Sequence, residues 1–312
     1  MSILGIIKGR GASGFGYDST AEEVTNGLNL SGKTVLITGC SSGLGREVMR
    51  VLYARGARVI GTARSIEQAT IACTQVRGEA HAVACDLSEP GSVCAAIANV
   101  QQMGWPLDAI IANAGIMALP TLRQKHGYEL QFVTNHIGHH LLITRLLDRL
   151  ADSGRVVMLS SALHSEAPPA GIEFDNLSGE QGYAPWTAYG QSKLANLLFA
   201  KHLATRLPKS AQTANAVHPG VVKTQLQRNL GSAAQVVFSL FGSPFLKSVA
   251  QGAATACYVA VHPVAASISG EYFVDCNTAQ PSAWANDTAL AGELWRKTEE
   301  IIAQWPVCRG DL

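Results

Sequence analysis

The sequence predicts a single doubly wound α/β domain: a mostly parallel seven-stranded sheet with helices on both faces. Three observations carry this expectation. Short apolar, β-branched runs alternate with helix-period stretches from residue 33 onward. Those runs are short and predominantly apolar, as expected of parallel strands covered on both faces. Hydrophobic residues make up 47% of the chain and charged residues only 15%, enough to fill a large core. No proline- or glycine-rich linker interrupts the alternation, so one domain is expected although 312 residues could hold two.

The elements follow in order. Strand candidates are "TVLIT" (34–38), "RVIGTA" (58–63), "AHAVACD" (80–86), "DAIIAN" (108–113), "RVVMLS" (155–160), "QTANAVH" (212–218) and "GEYFVD" (270–275). Helical spacing is read at 44–54, 66–76, 91–103, 126–150 and 188–207. Residues 1–30 precede this pattern and read as an N-terminal extension. Within it, Ser19 and Glu22 have the spacing of a capping box and predict a short helix. "GRGASGFG" (9–16) looks like a phosphate loop, but no strand precedes it, so its glycines are expected to serve flexibility.

Charge and cysteine usage exclude several functions. A formal charge of +1 gives no basis for nucleic-acid binding. Seven cysteines without a CxxC or paired spacing argue against a disulfide framework or a zinc site, and predict reduced thiols in the cytoplasm. "MSILGIIKGRG" is too short an apolar stretch for a signal peptide or membrane span. "HIGHH" (136–140) offers His136 and His140 on one helical face, but no acidic or cysteine partner lies nearby, so no metal is expected. The uncharged interval Asn229–Leu246 is broken by Gly231, Gly242 and Pro244. It is expected to be a mobile cover over an apolar substrate site; core packing or a homodimer contact is the alternative.

"TGCSSGLG" (38–45) joins the first strand to the first helix. Gly39, Gly43 and Gly45 let backbone approach backbone and ligand, and the helix turns its amide-rich end toward the loop. That arrangement binds a pyrophosphate without a basic side chain. NAD-binding units commonly end the second strand with an acid that holds the ribose hydroxyls. This one ends "GTARS", with Arg64 placed to meet a 2′-phosphate and Arg46 as a second candidate. NADP(H) is therefore expected in preference to NAD(H).

These segments, with "DL" (86–87), "ANAG" (112–115), "NHIGHH" (135–140), "LSS" (159–161), "YGQSK" (189–193), "HPGVVKT" (218–224) and "SGEYFVDC" (269–276), resemble the short-chain dehydrogenase/reductase family from about residue 31 to 303. The later motifs are most similar to its retinol-dehydrogenase-like and WW-domain-oxidoreductase-like branch. The resemblance implies a Rossmann oxidoreductase domain over 31–312, with substrate loops at 162–187 and 225–250. It implies cofactor contacts from Gly39, Ser41, Ser42, Gly43, Leu44 and Gly45 in the first turn, and from Arg64, Asp86 and Leu87. Asn113, Ala114 and Gly115 would line the cofactor, while Pro219, Gly220, Val222 and Thr224 would hold the carboxamide. Asn135, Ser161, Tyr189 and Lys193 would form a catalytic tetrad. Ser160 competes for the serine role, and the second serine of the pair is the expectation. The long insert between Ser161 and Tyr189 would form substrate wall.

Tyr189 and Lys193 stand four apart, on one face of a helix. A free phenol with a pKa near 10 is a poor proton donor or base at neutrality. Lys193 and the positive nicotinamide are expected to favour the phenolate and bring Tyr189 toward the working pH. Ser161 would hydrogen-bond the substrate oxygen, Lys193 would also grip the nicotinamide ribose, and Asn135 would anchor a relay water. The expected substrate is a lipophilic carbonyl or alcohol. A non-catalytic NADP(H)-binding regulator on the same fold is the alternative; its mark would be a lost Tyr or Lys, and both are present. Epimerase-type glycine spacing, TGxxGxxG, differs from the TGxxxGxG found here.

Overall fold

A computed structural model describes residues 3–76, 80–207, 209, 211–222 and 246–305. Its main sheet has eight strands among the described residues, not seven. They are β1 (Thr34–Ile37), β2 (Arg58–Ala63), β3 (Ala80–Ala84), β4 (Leu107–Ala112), β7 (Leu150–Leu159), β8 (Thr213–His218), β9 (Tyr272–Val274) and β10 (Asn277–Thr278). A separate two-stranded hairpin comprises β5 (Gln124–Lys125) and β6 (Tyr128–Glu129). The sheet order is β10-β9-β8-β7-β4-β1-β2-β3, parallel throughout except for β10. The extra strand arises because Asp275 and Cys276 take left-handed φ values of 52° and 63°, turning the chain back on itself. "GEYFVD" thus becomes a three-residue strand and the first arm of a tight hairpin.

β1 lies between β2 and β4, with Val35 paired to Val59 on one side and Ala109 on the other. The chain reverses its winding direction between these two neighbours, and the loops leaving β1 and β4 part to open a crevice at their carboxyl ends. Two apolar layers cover the sheet. One buries Ile110, Phe132, Leu141 and Leu197 under the helices Pro90–Gln102, Gly138–Thr144, Pro185–Ala204 and Thr288–Ala303. The other buries Ile37, Met49, Tyr258 and Phe273 under Gly43–Ala54 and Val249–Val261.

Three local expectations need correction. The helix read at 126–150 begins with the β5–β6 hairpin, then runs Leu130–Phe132, a π-helical turn Val133–Ile137, and Gly138–Thr144. The capping box is Thr20 with Glu23, because the Ser19 hydroxyl is already taken by the Gly16 N–H at 3.1 Å. The glycines of "GRGASGFG" are not a flexible tether. A Cβ on Gly11 would fall 2.3 Å from Asn277 Oδ1, the same oxygen that accepts from Ser13 N–H at 3.0 Å, so this loop is docked on β10. Phe15 packs edge-on to Tyr258, and Ala21 and Val24 are buried in the second layer.

Candidate active site

A cleft of ≈ 650 Å³ runs along the carboxyl ends of β1, β2, β4 and β7. Ser41, Ser42, Gly43 and Leu44 form its floor where β1 turns into the Gly43–Ala54 helix. Gly39 holds φ +73°, and a Cβ there would lie 2.9 Å from Ala114 Cα. A Cβ on Gly45 would collide with the Gly39 carbonyl at 2.3 Å. Gly45 therefore closes the turn from beneath and is not part of the cleft lining. Ser42 gives the helix no side-chain cap, so the first-turn amides are left for whatever fills the cleft. These residues fit a pyrophosphate.

Arg64, at the end of β2, lines the same cleft, and its guanidinium pairs with no described residue. Arg46 turns instead toward Gln75 Oε1 at 3.4 Å and lies outside the lining. Asp86 and Leu87 form the opposite wall. The Asp86 carboxylate accepts from Ser88 N–H and Oγ–H at 3.0 and 2.8 Å. Asn113 braces the two sides: its amide donates to the Thr38 carbonyl at 2.8 Å, while Asn113 N–H and Ala114 N–H both donate to Thr38 Oγ1 at 2.9 Å. Thr38 must then donate its own proton to His139 Nε2, 2.8 Å away, which makes the imidazole neutral; burial lowers it to about 4.

Tyr189 and Lys193 meet the cleft from the Pro185–Ala204 helix, which is buried on nearly every side. Lys193 Nζ donates to the Leu159 carbonyl at 3.1 Å and lies 5.7 Å from the Tyr189 ring centroid. Gly115 leaves room for it, since a Cβ there would stand 3.4 Å from Nζ and 3.0 Å from Asn135 Oδ1. The two serines diverge: Ser160 Oγ donates to the Lys193 carbonyl at 2.8 Å, whereas the Ser161 hydroxyl lies close enough to Tyr189 to pull its phenol down. Tyr189 and Lys193 line the cleft together with Ser160, while Ser161 stands beside Tyr189 outside the lining.

Asn135 lies deeper still. Its side chain bonds both the N–H and the carbonyl of Ile116 at 2.9 Å and donates to Ser192 Oγ at 2.9 Å, so it is buried and absent from the lining. The expected electrostatics also need correction. Burial dominates at Tyr189 and pushes the phenol up to about 12, with Ser161 pulling it partly back. Burial likewise lowers Lys193 to about 8, and Lys193 is not among the causes acting on the phenol. Desolvation of two groups in one dry pocket outweighs their mutual attraction.

On the β8 side, Pro219 lines the cleft. Gly220 has φ +85° and gives way to the Lys247 stem, 2.7 Å from where a Cβ would be. Val222 packs inward against Gly252. Thr224 and all of Asn229–Leu246 except Leu246 lie outside the described residues. His136 and His140 face Thr298 at 3.1 Å and Glu299 at 2.7 Å, fastening the last helix. Sequence reasoning missed Arg123, Leu130 and Thr134, which also line the cleft. Arg123 lies in a loop without periodicity; the only signal for it is the hairpin that follows.

Residues 33–235 match the sequence model of the short chain dehydrogenases. The chain belongs to that family. This short-chain dehydrogenase is 40% identical over 322 residues to "Short-chain dehydrogenase TIC 32 B, chloroplastic" of Brassica napus, covering 98% of this chain and 100% of that one. It is 38% identical over 289 residues to mouse "Retinol dehydrogenase 12", covering 90% of each. Among solved structures, a short chain dehydrogenase from Burkholderia cenocepacia in complex with NADP superimposes with a TM-score of 0.64 at 26% identity, over 78% of this chain and 96% of that one. The family and its dehydrogenase relatives make this protein an oxidoreductase acting on CH–OH and C=O groups. No helix among the described residues is long and apolar enough to cross a membrane.

Proposed function

We propose that this short-chain dehydrogenase uses NADP(H) in preference to NAD(H) to interconvert a lipophilic carbonyl and its alcohol, with Tyr189 as general acid and base. One observation carries the proposal: Tyr189 and Lys193, with Ser161 beside the phenol, stand at one end of a cleft that begins in an uncapped glycine turn. When bound, the cofactor supplies or accepts a hydride at nicotinamide C4. In the reducing direction Tyr189 gives its proton to the substrate oxygen. Ser161 Oγ–H donates to that same oxygen as negative charge grows there. Lys193 holds its charge beside the phenol and supports the phenolate left behind.

Asn135 has no free side-chain group for substrate, so its part is to hold Ile116 of the cleft wall and Ser192 of the Tyr189 helix in place. Arg64 supports the NADP(H) preference, as does the NADP bound by the Burkholderia short chain dehydrogenase. The retinol dehydrogenases among the relatives, and the apolar Ile116, Leu119 and Pro120 in the cleft wall, support a lipophilic substrate. The buried thiols Cys40, Cys73, Cys85, Cys257 and Cys276 suit a reducing compartment, which we take as the cytoplasm.

The test is Tyr189→Phe, assayed with NADPH and all-trans-retinal. Turnover should vanish while NADPH affinity stays within about threefold, because only the hydroxyl carries the proton. A variant that keeps most of its kcat sinks the mechanism.

A further inference from the structure

We propose that His164 and His218 are positioning residues that clamp the peptide group after Ser161 and thereby aim the serine hydroxyl at Tyr189. The inference rests on the reading of Ser161 and Tyr189 given above; neither histidine touches the reacting atoms.

The peptide joining Ser161 to Ala162 is held at both polar edges. Its carbonyl accepts from His164 Nδ1–H at 2.6 Å, and also from the His164 backbone N–H at 3.1 Å. Its N–H, on Ala162, donates to His218 Nδ1 at 3.2 Å. The two rings come from separate parts of the chain, one from the turn after β7 and the other from the end of β8. Rotating this peptide plane breaks contacts on both sides at once. A carbonyl can only accept, so His164 carries its proton on Nδ1. Its Nε2 in turn accepts from Ser282 N–H at 2.9 Å, which fixes that tautomer and ties the clamp to the segment before the last helix. The His164 ring also packs edge-on against Tyr272 of β9, with centroids 5.2 Å apart.

The clamp bears directly on the hydroxyl. Ser161 is the first residue of the turn, and its Oγ already accepts from Leu163 N–H at 3.2 Å. With that lone pair taken and the backbone fixed on both sides, the hydroxyl keeps its O–H and one lone pair for Tyr189, which lies close enough to feel it. Each neutral hydrogen bond is worth only about 1 kcal/mol to folding. Orientation is where the clamp matters, since a displacement of about 1 Å at a reacting group costs roughly 100-fold in rate.

The experiment is a double-mutant cycle between His218→Leu and Ser161→Ala, with His218→Asn as the conservative variant, assayed with NADPH and all-trans-retinal. NADPH affinity is read by fluorescence, and exchange of the Ala162 amide by NMR. His218→Leu should lower kcat by roughly 10- to 100-fold with NADPH affinity held within about threefold. The Ala162 amide should exchange faster. His218→Asn puts an amide oxygen where Nδ1 accepts and should restore kcat to within about threefold. In the Ser161→Ala background, His218→Leu should cost less than about twofold, because the hydroxyl it aims is gone. Equal losses in both backgrounds would show an ordinary structural contact and overturn the inference, as would a His218→Leu variant with wild-type kcat. His164→Leu removes the side-chain donor to the Ser161 carbonyl and provides the same cycle should His218→Leu not fold, with His164→Asn as its conservative variant. If the wild type turns over and Tyr189→Phe is dead while the histidine variants are unaffected, only this inference falls. If the wild type does not reduce the probe at all, the reading of the site falls, and this inference with it.

Discussion

Tyr189 is raised to about 12 by burial, so at neutral pH it carries its proton and is ready to reduce a carbonyl. Oxidising an alcohol requires the phenolate instead, whose fraction grows tenfold per pH unit below the pKa. We therefore expect the oxidation kcat to rise by about one log unit per pH unit between roughly pH 6 and 9, while reduction stays nearly flat. A flat oxidation profile would show that another group takes the proton. Arg64 gives a second expectation at this scale. With no described partner of its own, it is available to a 2′-phosphate, so Arg64→Ala should raise the KM for NADPH by roughly 10- to 100-fold and leave NADH kinetics almost unchanged. Equal effects on both cofactors would place the residue elsewhere. Tyr189 and Lys193 were legible from the sequence because a helix brings residues four apart together. His164 was legible as a pocket residue of the insert, but neither it nor His218 as a clamp, nor Arg123 as a site residue, since their partners come from distant parts of the chain and no spacing announces them.

Among the elements, the strands were readable wherever a β-branched run is buried on both faces, as in β1 and β2. The stretch after β4 was misread because its apolar residues continue at helical spacing through a hairpin and a π turn. Hydrogen bonding, not hydrophobic period, distinguishes these: Glu129 caps the new helix by accepting from Phe132 N–H at 2.9 Å. The same helix packs against the cleft wall through Gly138. A Cβ there would stand 2.2 Å from the Leu87 carbonyl, a backbone atom that cannot swing aside. Gly138→Ala should therefore cost roughly 3 kcal/mol or more of stability and weaken NADPH binding by displacing Leu87. Thermal denaturation and a binding titration check this; a variant with wild-type values would mean the helix can shift freely.

Across the whole molecule, the doubly wound architecture was legible from the alternation of elements, while the closure of its far edge was not. Closure depends on single contacts between chain ends: Lys8 bonds Asp275 Oδ2 at 3.3 Å, and the buried Lys247 bonds Asp275 Oδ1 at 2.6 Å. Lys247 also joins two distant parts of the chain. Its N–H donates to the Val221 carbonyl at 2.8 Å in a parallel bridge beside Val222, although 24 residues stand between Val222 and Lys247. Lys247→Met should lower the melting temperature by several degrees, because it leaves Asp275 with one cation fewer. An unchanged melting temperature would show that this ion pair does not hold the edge. A protein built this way keeps its frame closed by a handful of bonds set where the chain departs and returns.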